Sequence, residues 1–291
     1  MLGYVAWMVR LEFASTSKFL AMTRFNPVSW HVNESKYVGA APKESKSVGN
    51  HVGRQPSVFM NPGTRSRRQV FTPLHYTPSY KYPLIVWLHS NGHNERQVND
   101  VMPHISLRNF LALGVQGNRA VDSGGTRFDW HESPGGIGIA HDSVAIAIDE
   151  IRDRYSVHPQ RIVLAGYGAG GTMALRLAMR SPGQFAAAVS LGGRMPQGAI
   201  RDFQGLRQRR LPMLWQWARD NAQYTDDNLK HDFKLAMTIG SSVEVRQYPG
   251  PDEMDTVVMS DLNDWIMRRV VLEEASPSEY VDTIPVPYSA N

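Results

Sequence analysis

Two kinds of segment alternate along the hydrophobic pattern of this chain. Continuous apolar runs stand at residues 84–88 (LIVWL), 110–115 (FLALGV), 162–165 (IVLA), 185–191 (FAAAVSL) and 212–217 (PMLWQW). Short runs without polar alternation mark strands buried on both faces, as in a parallel sheet. Segments of helical spacing lie between them. In residues 140–155, Val144, Ile148 and Ile151 share one face, and Asp149, Glu150, Arg152 and Asp153 the other. Further helices are expected after the glycine turn at 166–171 and at 99–104, 227–239 and 255–272. Further strands are expected at 69–72 and 243–248. Alternating strands and helices predict βαβ units: an α/β fold with a mostly parallel central sheet and helices on both faces.

Outside residues 70–272 the pattern lapses. Residues 1–69 read as an irregular basic N-terminal arm, and residues 273–291 as an acidic, proline-bearing C-terminal tail. The apolar start at 2–9 is short for a signal segment and is followed by Arg10 and Glu12. No export signal is therefore expected, and the cytoplasm is the expected compartment, with Met22 an alternative start. No stretch is long enough to predict a transmembrane segment. The net charge is only +4, and the basic arm carries no interleaved aromatic groove motif, so nucleic acid is not expected as a partner. The chain has no cysteine, which excludes disulfides, thiolate metal sites and a cysteine nucleophile. His89 and His93 flank a strand-to-loop junction rather than share a helix face, so no metal site or cofactor is expected.

The segment 161–179, RIVLAGYGAGGTMALRLAM, carries the most specific signal. An apolar strand enters a glycine turn and leaves as a helix, the setting in which G-x-S-x-G holds a serine nucleophile. The spacing Gly166-x-Gly168-x-Gly170 is kept, but Gly168 stands at the nucleophile position. The same residues fit the phosphate-cradling G-x-G-x-x-G pattern as Gly166, Gly168 and Gly171. That pattern belongs at a first strand with an acid about twenty residues on, and here it has neither.

With this turn, the strand ending His89-Ser90-Asn91-Gly92 and the late strand ending Tyr248-Pro249-Gly250, residues 70–272 resemble the α/β-hydrolases. The nearest resemblance is to phospholipase/carboxylesterases and polyhydroxyalkanoate-depolymerase-like esterases. It implies a Ser, Asp, His triad in chain order. The triad-equivalent positions are Gly168, Asp220 and the turn at 250–254, where Asp252 stands and no histidine does; none follows His231. The resemblance also implies an oxyanion loop at His89, Ser90, Asn91 and Gly92, with Tyr167 and Ala169 flanking the elbow. His131, in the long polar loop at 116–137, is a further pocket candidate. Losing the serine or histidine of such a triad removes about six orders of magnitude of turnover.

Three function classes follow. The first is a non-catalytic esterase-like protein that binds a small acyl or ester-like ligand, or a protein partner through its arm or tail. The second is an active carboxylic-ester hydrolase whose nucleophile has moved to Ser90 or Ser190. The third is a structural or assembly subunit. The pattern at Gly168 and 250–254 favours the first.

Overall fold

The computed structural model describes residues 10–13, 66–198, 203–221, 225–239, 241–251 and 253–272. Most of the basic arm, the acidic tail and Asp252 lie outside the described residues. The main sheet has eight strands: β1 (Arg10–Phe13), β2 (Arg68–Phe71), β3 (Tyr82–Leu88), β4 (Leu111–Val115), β7 (Val157–Tyr167), β8 (Ala187–Leu191), β9 (Pro212–Ala218) and β10 (Ser242–Tyr248). A two-stranded ribbon, β5 (Arg119–Ala120) and β6 (Phe128–Asp129), stands apart. The helices are α1 (Gln97–Ile105), α2 (Pro134–Arg154), α3 (Ala169–Arg180), α4 (Phe203–Arg209), α5 (Asp226–Thr238) and α6 (Thr256–Ile266).

Sheet order is β1-β10-β9-β8-β7-β3-β4-β2, and every pairing is parallel except β2 with β4. The expected α/β-hydrolase architecture is present. The period of two along β3 assigns its side chains to two cores. Leu84, Val86 and Leu88 pack with α2 and α3, whereas Ile85 and Trp87 pack with α1 and α6. All seven residues of β3 and all five of β4 and of β8 are buried, as continuous apolar runs require.

Several elements differ from expectation. No strand was expected before residue 69, yet β1 pairs with β10, Arg10 opposite Glu244. The loop at 116–137 holds β5 and β6, and α2 starts at Pro134 rather than at residue 140. The Pro134-Gly135-Gly136 run resembles a loop, but proline suits the first helical position and the Ser133 hydroxyl accepts from the Gly136 N–H at 3.1 Å. Finally, α6 ends in a π-helical turn, Met267–Val271.

The chain leaves β3 towards β4 on one side, and β7 lies on its other side. The carboxyl ends of β3 and β7 are therefore the point where strand order reverses, and such a point opens a crevice.

Candidate functional site at the carboxyl ends of β3 and β7

At this crevice the β7–α3 turn is pressed against the end of β3. A Cβ on Gly170 would lie 2.0 Å from the Leu88 carbonyl oxygen and 2.4 Å from that of His89. Gly168 is different. It has φ 56° and ψ −123°, a conformation open to glycine that would strain any residue with a side chain, although a Cβ there would meet nothing within 4 Å. Its N–H donates to the Leu191 carbonyl at 2.8 Å, tying the turn to β8. The elbow geometry is complete; the position that would carry a side chain faces open space.

That space is a cleft of about 290 Å³, whose walls include Asn91, Glu132, Gly168, Thr172, Arg176 and Arg194. Gly168, Thr172 and Arg176 follow one another at four-residue spacing, so one face of α3 lines it. The Thr172 hydroxyl donates to the Arg194 carbonyl at 2.9 Å. Arg176 Nη2 donates to Glu132 Oε2 at 3.1 Å, across an ion pair whose carboxylate is 55% exposed. Arg194 grips the fully buried Asp232 through Nε (3.0 Å) and Nη2 (2.9 Å), and the Met195 N–H donates to the same carboxylate at 3.1 Å. The first-turn amides of α3 have no intrahelical acceptor and also belong to this end of the helix. The cleft thus presents donors and two arginines, each held by a carboxylate. Among the described residues no histidine lines it, and the one side-chain hydroxyl, Thr172, is committed.

The structure brings together only part of the expected site. Gly168, Ala169 and Asn91 do line the cleft. His89 and Ser90 do not reach it. Ser90 is buried, its hydroxyl accepting from Gln97 Nε2 at 3.0 Å and its N–H donating to Gln97 Oε1 at 3.1 Å. The Gly92 N–H is already shared between the Phe128 carbonyl (3.0 Å) and Asp129 Oδ1 (2.8 Å). His131 is bonded at Nδ1 to the Ser133 hydroxyl, at 2.8 Å, and its neighbour Glu132 is the residue in the cleft. Tyr167 borders a separate cavity of about 20 Å³ beside Gln216, Trp217 and Tyr248. Asp220 is exposed in the turn after β9, its N–H donating to Gly250 at 3.1 Å. Ser190 is fully buried, its hydroxyl donating to the Gly193 carbonyl at 3.2 Å. Arg176, Arg194 and Glu132 were not foreseen, although Arg176 sits at the four-residue spacing from Gly168 through Thr172.

His89 has a structural part. Its Nδ1–H donates to the Ser90 carbonyl (2.8 Å), and its Nε2 accepts from the Gly117 N–H (2.9 Å). Burial lowers its pKa from 6.5 to about 4, against a smaller opposing contribution from the Ser90 hydrogen bond. The unfolded chain therefore binds the extra proton first. Stability is full above about pH 6.5 and falls as pH drops towards 4, by roughly 3 kcal/mol from this ring. Denaturant melts between pH 7 and 4.5 should show this acid loss, and His89→Gln should flatten the slope. An unchanged slope would assign the loss to other groups.

These features define the α/β-hydrolase fold with a glycine at its elbow. No protein-family model matches the sequence, and no curated protein sequence does either. Solved structures, a carboxylesterase among them, do share the fold. The *Bacillus cereus* carboxylesterase aligns at TM-score 0.56 and 15% identity, over 70% of this chain and 94% of its own. *Arabidopsis thaliana* SOBER1 aligns at TM-score 0.54 and 20% identity, over 65% and 99%. YahD, solved with malic acid, aligns at 0.54 and 14%, over 69% and 98%. Among the described residues, no helix is long and apolar enough to cross a membrane.

Proposed function

We propose that this protein keeps the esterase-like fold as a non-catalytic, ligand-binding molecule. One observation carries the reading: the cleft over Gly168 has no nucleophile at the elbow and, among the described residues, no histidine in its walls. A proton-accepting partner is what makes a hydroxyl nucleophilic near neutral pH, so such a cleft has no acyl-transfer chemistry of this type to offer. The relocated hydrolase is disfavoured because the Ser90 and Ser190 hydroxyls are buried and already hydrogen-bonded, to Gln97 and to the Gly193 carbonyl. Another hydroxyl–imidazole contact, Ser181 Oγ with His141 Nε2 at 2.9 Å, lies at the opposite end of α3, roughly 18 Å along a twelve-residue helix.

The test is hydrolysis of short-chain p-nitrophenyl esters by the wild type and by Gly168→Ser. Open space at Gly168 admits the serine, at a cost of about 1–3 kcal/mol for the positive φ. Both proteins are expected at the rate of buffer alone, because the restored hydroxyl still lacks its base. Wild-type turnover would overturn the proposal, and Ser181→Ala would then be the first variant to assay.

A further inference from the structure

We propose that the cleft over Gly168 binds a small organic acid, and that Glu132 occupies the acid's place when it is absent. The inference rests on reading the cleft as a binding site.

Arg176 is the centre of the argument. Its side chain is 12% exposed and lines the cleft. Nη2 is bonded to Glu132 Oε2 at 3.1 Å, with the Gln197 carbonyl at 3.5 Å. Nη1 is sealed from water and has no hydrogen-bond partner among the described residues. A guanidinium fork with one prong engaged and one buried prong unsatisfied is an incomplete carboxylate receptor, since carboxylates pair with both prongs. The present occupant, Glu132, comes from the segment before α2 and is more than half exposed. Exposed ion pairs of this kind contribute little to stability, so exchanging one carboxylate for another is cheap.

The rest of the lining offers donors and no second anion to compete for that place among the described residues. Arg194 is neutralised from beneath by Asp232 rather than from the cleft. Glu132 is the one carboxylate among the described lining residues. The amino-terminal end of α3 adds a positive dipole end to the opening at Gly168. A volume of about 290 Å³ admits an acid of a few carbon atoms and excludes bulky chains. Phosphate presents the same anionic oxygens, so the experiment carries an arm for each.

The test is calorimetric titration of the full chain with succinate, inorganic phosphate and neutral dimethyl succinate. Wild type, Glu132→Gln, Arg176→Ala and Arg176→Lys are compared. Succinate is expected to bind, to bind roughly tenfold more tightly to Glu132→Gln, and to weaken at least tenfold in Arg176→Ala, with Arg176→Lys between. Dimethyl succinate should not bind. Phosphate binding more tightly than succinate would overturn the organic acid in favour of a phosphate ligand. No succinate binding by either wild type or Glu132→Gln would overturn the proposal. So would binding that is indifferent to Arg176, or equal binding of the diester. Should Arg176→Ala fail to fold, the tightening in the surface variant Glu132→Gln decides alone. Ester turnover by the wild type would instead strike the non-catalytic reading, and would leave these titrations interpretable.

Discussion

Gly170→Ala is expected to abolish the folded protein, or to lower its stability by more than about 3 kcal/mol. The added Cβ would sit 2.0 Å from the Leu88 carbonyl oxygen and 2.4 Å from that of His89. Both are backbone atoms at the end of the strand in the centre of the sheet. β3 cannot retreat, because Leu88 is paired with Gly166 on one side and Val115 on the other. Gly168→Ala is the matched control: it meets nothing within 4 Å and bears only the cost of its positive φ. Thermal melts of the two variants should therefore differ widely, although the positions are two residues apart. Similar melting temperatures would mean that the β7–α3 turn is not packed as described.

Asp232→Ala is expected to cost about 3 kcal/mol, lowering the melting temperature by roughly 6–12 °C. Asp232 is fully buried on α5 and receives Arg194 twice and the Met195 N–H once. Removing the carboxylate strands a guanidinium and a buried amide together. Arg194 is 32% exposed and can turn partly towards water, which places the cost at the lower end for a broken buried pair. Replacing Arg194 with Met in the same chain should recover part of the loss, because the stranded charge is then gone. A double variant no better than Asp232→Ala would show that the Met195 amide dominates instead.

The sheet was legible because burial on two faces leaves a direct mark. Residues 84–88 and 110–115 hold no polar side chain, and only a strand covered on both sides tolerates that. The elbow was legible for a steric reason: Gly166 and Gly170 are glycines because backbone occupies the places of their side chains. The walls of the cleft were not legible. Glu132 and Arg176 meet across 44 positions of sequence, and nothing in either neighbourhood names the other. His89, Ser90 and Gly92 were expected at an oxyanion loop only because the resemblance to the α/β-hydrolases places one there. Here their polar groups are consumed by Gln97, Gly117, Phe128 and Asp129, partners that local pattern does not supply. The early start of α2 was hidden by its composition, since proline and two glycines signal a loop everywhere except at the first turn behind a serine cap.

The bare Gly168 also decides how such a molecule comes to notice. Surveys of hydrolases tag them with electrophiles that trap an activated serine, and this turn has no oxygen to be trapped. On the non-catalytic reading proposed above, a proteome sorted by that tag would leave this chain among the unlabelled background. Occupancy of the cleft would register instead as a shift in melting temperature, which depends on a ligand's affinity and not on a reaction.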